Sequence, residues 1–204
     1  MFDASFWNQR YNTQDYIYGT EPNGFLVSVA SQIPAGPVLC LAEGEGRNAT
    51  YLASLGHQVT AVDQAELGLA KAARLAKSRG LTLETIKADL SDFFISPGTW
   101  AGIAVFFAHL PPELRRRVFA KAVEGLRPGG VFILEAYTPA QLRRDTGGPK
   151  ELSLLMTADA LRGELQGLEF PVLRETERDI SEGTGHTGIG AVVQVLGIKP
   201  RPNA

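Results

Sequence analysis

From Pro37 to Tyr137, short apolar runs alternate with stretches of helical period, and glycines or polar turns separate them. Apolar runs at residues 37–42, 58–63, 81–88, 102–107 and 130–137 read as strands. Residues 47–55, 66–79 and 111–126 read as helices; Gly56 and Gly80 stop the first two, and Pro111 suits the start of the third. Such alternation requires right-handed crossovers. It predicts an α/β fold: a doubly wound, mostly parallel sheet of Rossmann-like type with helices on both faces. The rhythm then breaks. A helix near residues 157–165 leads to a strand at 172–180, a polar glycine-rich stretch at 181–190 and a last strand at 191–198. A connection of about ten residues is too short for a helical crossover, so these two strands form an antiparallel hairpin. Seven strands are expected in all.

The 204 residues fit one domain, and the 44% hydrophobic and 21% charged content is that of a globular chain. Cys40 is the only cysteine, which excludes an intrachain disulfide. A net charge of −2 is not the footprint of a nucleic-acid binder. The start of the chain, Met1 to Trp7, lacks the pattern of a signal peptide. The longest nearly apolar stretch, residues 101–110, is far short of the ~20 residues a membrane span needs. A cytoplasmic protein without membrane or nucleic-acid partners is expected, as a monomer or weak homodimer.

The densest chemical signal is the turn after the first strand, Glu43-Gly44-Glu45-Gly46-Arg47-Asn48-Ala49. A strand, a tight glycine turn and a helix start are where a nucleotide-like ligand approaches a doubly wound sheet, and Asp63 follows at about the ~20 residues expected of a ribose-binding acid. A dinucleotide would place its pyrophosphate on the helix N-terminus, beside Glu43 and Glu45. S-adenosylmethionine has no phosphate and carries a sulfonium and an ammonium, which these acids tolerate. Alternatively both glutamates point to solvent and merely favour the helix start. Asp89, after the third strand, either accepts from an adenine amino group or caps a turn.

Together these stretches, with Leu126 to Gly130 and the terminal hairpin, resemble the class I S-adenosylmethionine-dependent methyltransferases. Trp7-Asn8-Gln9-Arg10-Tyr11, Tyr16-x-Tyr18-Gly19 and Pro22-Asn23-Gly24-Phe25-Leu26 resemble the N-terminal cap of the tellurite-resistance and thiopurine-methyltransferase-like subgroup. The resemblance implies a helical cap over residues 1–35, a Rossmann-like core over 36–200, and S-adenosyl-L-methionine as cofactor. It implies a cofactor site of Arg10, Tyr18, Gly19, Glu43, Gly44, Gly46, Asn48, Asp63, Gln64, Asp89, Leu90 and Phe106, with no metal. Relatives carry an acid at the position of Cys40 and a glycine at that of Ala42. The acid has moved to Glu43, which is expected to take over the contact with the cofactor's methionine end, while Cys40 is an inert buried thiol.

The acceptor is expected to be a small molecule such as a thiol or a metalloid oxyanion. His109 and His186 are the candidate catalytic groups, since both lie in loops on the ligand side; His109 could instead cap a helix, and His186 could lie in a disordered tip. Glu182 should border the same opening, as should Gly147-Gly148. His57 is expected at the surface, and Arg115-Arg116-Arg117 reads as a solvated helix face. The aromatic N-terminal segment either closes over the cofactor, with Arg10 and Tyr18 inward, or packs onto the sheet edge. Two other functions stay open: a non-catalytic S-adenosylmethionine-binding regulatory protein and an NAD-dependent oxidoreductase.

Overall fold

Each central strand sends alternate side chains into two different layers, as the period of two requires. In β1 (Pro37–Leu41), Val38 and Cys40 join one apolar cluster and Leu39 and Leu41 the other. The computed structural model describes residues 3–202. The first two residues of the predicted cap, Met1 and Phe2, lie outside this range. After β1 come β2 (Gln58–Asp63), β3 (Glu84–Lys87), β4 (Trp100–Phe106), β5 (Leu126–Tyr137), β6 (Glu169–Glu182) and β7 (His186–Ile198). The helices are α1 (Ala4–Tyr11), α2 (Gly24–Val29), α3 (Arg47–Ser54), α4 (Glu66–Ser78), α5 (Pro112–Gly125) and α6 (Ala158–Glu164).

The described residues form one seven-stranded sheet of order β3-β2-β1-β4-β5-β7-β6. The first five strands are parallel, and β7 runs antiparallel to both β5 and β6. This is the predicted doubly wound sheet with its terminal hairpin. Phe25, Leu26 and Val29 of α2, Ala49 and Leu52 of α3 and Leu69 of α4 pack on one face. Val118, Phe119 and Ala122 of α5 and Leu161 of α6 pack on the other. No helix among the described residues is long and apolar enough to cross a membrane.

Three details differ from the sequence reading. β3 is shorter than expected and begins at Glu84. β5 starts already at Leu126, with a register shift opposite Trp100 and Gly102; a Cβ at Gly130 would stand 2.8 Å from the Trp100 carbonyl oxygen, so glycine permits the close crossing. The polar stretch at 181–190 is not a long loop. Only residues 183–185 turn, and Glu182 pairs directly with His186. The glycines that suggest a loop serve close packing instead: a Cβ at Gly190 would meet Ile180 Cδ1 at 2.4 Å.

The basic run on α5 is also divided. Arg116 and Arg117 are exposed, but Arg115 is buried and grips both oxygens of Glu164 on α6, at 2.8 and 2.7 Å. Bidentate geometry makes this pair a specific clamp between the two helices. Glu164→Ala would strand a buried guanidinium. The variant is expected to lose about 3 kcal/mol of unfolding free energy in a denaturant titration.

Candidate active site

The β1–α3 turn is built from left-handed residues. Ala42, Gly44 and Gly46 have φ of 53°, 62° and 88°. Glycine is needed at Gly46 because a Cβ there would meet Ala72 Cβ at 2.3 Å, so this residue sets the α3–α4 contact. Ala42 occupies the position where the family resemblance implies glycine and takes the left-handed conformation all the same. That costs an L-residue roughly 1–2 kcal/mol.

Neither glutamate of the turn is a solvated helix starter. Glu43 Oε1 accepts the Ala49 N–H at 2.8 Å and caps α3. Burial pushes its carboxyl up to about 7, against the pull of that N–H and of Arg47. Glu45 is 3% exposed. It pairs with Lys71 at 2.7 Å and accepts the Tyr18 N–H at 3.1 Å. Lys71 Nζ also donates to Thr13 Oγ1 and to the Asp15 carbonyl. The N-terminal segment is thereby fastened to α4 and to the glycine turn. Asp63, at the end of β2, accepts from Gly44 N at 2.9 Å and Ala65 N at 2.8 Å. Burial raises its pKa, and those N–H groups oppose the rise. Cys40 is fully buried, and burial with Glu43 beside it pushes its thiol well up.

Above this turn lies a cavity of about 600 Å³. Glu43, Gly44, Asn48, Asp63 and Gln64 line one part of it, with Asp89, Leu90 and Phe106. Arg10 and Tyr18 line it from the N-terminal segment, and His109 and His186 from the far side. Gly19 and Gly46 do not line it. Gly19 packs on the Gly183 backbone of the hairpin turn, and Gly46 on Ala72. Asn48 also has a structural bond, since its Oδ1 accepts the Asn23 N–H at 2.9 Å. Asp89 is exposed, with Oδ1 accepting from Ser91 N, so it both closes a turn and faces the cavity. Arg10 Nε donates to Tyr18 Oη at 2.8 Å.

His186 does not lie in a loose tip. It starts β7, 8% exposed, against the rings of Tyr18, Phe107 and Tyr137. Its Nδ1 is 3.9 Å from Glu182, and burial lowers its pKa. His109 Nδ1 lies 3.3 Å from the Leu154 carbonyl, and its ring stacks on Tyr137. Burial holds it down at about 4.

Sequence reasoning missed the charged hub beneath the cavity. Glu135 is fully buried in β5 and is held by Arg178, Gln194 and Asn23. Glu182 takes Arg47 at 2.5 Å, Arg178 at 2.6 Å and Asn23 at 3.0 Å. Burial works against its charge, but His186 and the two guanidiniums outweigh it and hold Glu182 down to about 2. A lone acid inside the apolar run Val131 to Tyr137 was the available signal. Tyr11 was also missed: it is buried over Gly44 and lines the cavity.

Residues 38–130 match a family model described as a methyltransferase domain. That stretch of the chain is thus similar to a methyltransferase domain. Over 110 residues it is 30% identical to the uncharacterized methyltransferase YbaJ of Bacillus subtilis (strain 168), a match covering 53% of this chain and 43% of that protein. The chain thus spans less than half of the curated relative's length. Its fold is that of TehB from Haemophilus influenzae, with a TM-score of 0.72 at 22% identity over 96% of this chain and 66% of that one. A structure solved for the conversion of a disulfide bond into a thioacetal group during echinomycin biosynthesis gives 0.78 at 18% identity, over 100% and 92% of the two chains. A SAM-dependent methyltransferase from Aquifex aeolicus gives 0.66 at 16% identity, over 98% and 100%. These likenesses establish the class I methyltransferase fold.

Two substitutions test the glycine turn. Ala42→Gly relieves the left-handed strain and should stabilise the protein by about 1 kcal/mol in chemical denaturation. Glu45→Gln, expected to be silent if Glu45 faced solvent, leaves the Lys71 ammonium buried without its counter-charge. A loss of about 3 kcal/mol is expected in the same measurement.

Proposed function

We propose that the chain is an S-adenosylmethionine-dependent methyltransferase acting on a small-molecule acceptor. The observation that carries this reading is the half-buried Glu43 carboxyl at the rim of the glycine turn, which lines the cavity and is held up at about 7. A carboxyl in that state gains most from a nearby cation. It would disfavour a pyrophosphate at the α3 N-terminus, which argues against the NAD reading. When bound, S-adenosylmethionine supplies an electrophilic methyl group on a sulfonium.

The residues fit that group. Glu43 would face the ammonium, and Asp63, whose carboxylate has lone pairs beyond those that take the Gly44, Gln64 and Ala65 N–H groups, would take the ribose hydroxyls. Arg10 would pair with the carboxylate. Asp89, Leu90 and Phe106 would hold the adenine. Tyr18 and the N-terminal segment would close the site against water. Such a transfer asks the protein chiefly for positioning, worth up to ~7–11 kcal/mol in well-oriented cases. A net charge of −2 accords with a small acceptor rather than nucleic acid.

The test is calorimetry with S-adenosylmethionine and with NAD across about pH 5.5 to 7.5. An unfolded glutamate titrates near 4.5, whereas folded Glu43 does so near 7. The folded state therefore holds this proton more tightly. That contribution to stability is full below pH 4.5 and is lost as pH rises through about 7. A cationic ligand needs the ionised form. Affinity for S-adenosylmethionine should rise with pH, by up to about tenfold per unit below pH 7, with proton release on binding. Glu43→Gln should flatten the profile and weaken binding. Tight NAD binding without S-adenosylmethionine binding would refute the assignment.

A further inference from the structure

The acids assigned to the cofactor, Glu43, Asp63 and Asp89, lie at or just past the ends of β1, β2 and β3. The rest of the cavity lies beyond β4, on the side of the sheet toward β5. Its wall there is mostly apolar, with Phe107, Leu110, Leu114 and Leu154, and with Ser153 and Glu151 as polar members. His109 is set into that wall. Its Nδ1 lies against the Leu154 carbonyl, which only accepts, so Nδ1 carries the hydrogen and Nε2 is a bare acceptor. Nε2 is buried and has no hydrogen-bond partner among the described residues. Buried acceptors of this kind are normally satisfied, so a donor from a ligand belongs there. The ring lies parallel to Tyr137, with centroids 5.8 Å apart, and that neighbour and the Leu154 carbonyl orient it.

Of the arginines that line the cavity, Arg47 is paired with Glu182, and Arg10, whose Nε donates to the neutral Tyr18 hydroxyl, is assigned above to the cofactor's carboxylate. A metalloid oxyanion would have to leave water for a wall with no further cation to pair it. Resting on the methyltransferase reading above, we propose that this half of the cavity takes an uncharged, largely apolar acceptor of the hydroxyarene class, whose hydroxyl donates to His109 Nε2 and gives up its proton there. A lone pair of the hydroxyl oxygen forms the bond to the methyl carbon. The carbon–sulfur bond breaks with its electron pair left on sulfur, giving a neutral thioether. The hydroxyl proton passes to Nε2 and then to solvent. The positive charge lost by the sulfonium reappears on the imidazolium, so the site's net charge is unchanged. The oxygen gains oxonium character as the new bond forms, and even a weakly basic imidazole then takes its proton. His109 is neutral at pH 7 and available for this, because burial holds its pKa down at about 4.

Two readouts test the proposal. The first needs no turnover: calorimetry of a naphthol and its methyl ether on the wild type and His109→Leu, each saturated with S-adenosylhomocysteine. The wild type should prefer the naphthol by about tenfold, and the variant should lose that preference. Equal binding of the two compounds to the wild type overturns the hydrogen bond. The second readout is S-adenosylhomocysteine formation with hydroxyarenes, thiols and tellurite. Hydroxyarenes should be methylated. His109→Gln should lower kcat for the naphthol about 100-fold with little change in KM. It should leave a nitrophenol already ionised at the assay pH nearly unaffected. An equal defect with both acceptors makes His109 a packing residue and overturns its role as base. Turnover of tellurite or thiols in place of hydroxyarenes, or of none of the panel while S-adenosylmethionine binds, overturns the acceptor class alone. Failure of S-adenosylmethionine to bind at all removes the methyltransferase reading, and this proposal with it.

Discussion

Two buried carboxylates, Glu135 and Glu182, share the guanidinium of Arg178, and much of the site's architecture hangs on that arrangement. A carboxylate taken out of water must be paired and hydrogen-bonded or it will not stay charged. Here the partners come from across the fold. Arg178 and Glu182 lie on β6, Glu135 on β5, Gln194 on β7, Arg47 on α3, and Asn23 at the start of α2. Five elements therefore converge on one set of charges. The requirement fixes the register of the terminal hairpin, because slipping β6 by one residue would turn Arg178 and Glu182 to the other face. It also sets the first residue of β7, His186, against the cavity, while Glu182, expected at the opening, stays in the hub and does not line it.

Asn23 carries this constraint into the N-terminal segment. Its Oδ1 caps α2 by accepting from Phe25 N and Leu26 N, its N–H donates to Asn48 on α3, and its Nδ2 donates to both hub carboxylates. Upstream, Lys71 and Glu45 hold residues 13–18, and the Gly185 N–H donates to the Ile17 carbonyl. A Cβ at Gly183 would stand 2.3 Å from that same carbonyl oxygen. The aromatic segment is therefore a wall of the cavity fixed at both ends, and Tyr11, Tyr18 and Arg10 meet the cavity because those anchors leave them no other place.

The parallel sheet was legible because its signal is local. Period, glycine stops and run length gave β1, β2, α3, α4 and α5 to within a residue or two, and the short final connection gave the hairpin. The hairpin's length was not legible, because Gly183, Gly185, Gly188 and Gly190 carry loop chemistry in isolation and show their packing role only against Ile17, Tyr18, Thr146 and Ile180. The same limit applies to charge. Glu45 and Arg115 sit in sequences that read as solvated helix surface, and only their partners, 26 and 49 residues away, reveal them as buried pairs. Of the residues expected at the cofactor, those that flank strand ends line the cavity, as do Arg10, Tyr18 and Asn48, whereas Gly19 and Gly46 pack on Gly183 and Ala72 outside it.

The sheet order explains why the cavity has two chemically different halves. The chain leaves β1 toward β2 on one side and leaves β4 toward β5 on the other, so the crevice between β1 and β4 is the point where the winding reverses. The two strands end in register there, Leu41 opposite Val105. The non-glycine residues with positive φ among the described ones, Ala42 and Phe107, follow those two ends. Each turns its chain sharply away from the crevice: after Ala42 the Glu43 N–H donates to Val62 on β2, and the Phe107 N–H donates to Glu135 on β5. Strain of this kind persists only where the surroundings over-determine it. One turn exposes N–H groups and carboxylates, suited to a charged ligand. The other delivers an aromatic ring and His109, suited to an apolar one. The crevice thus joins a polar half to an apolar one at the point where the two strands end.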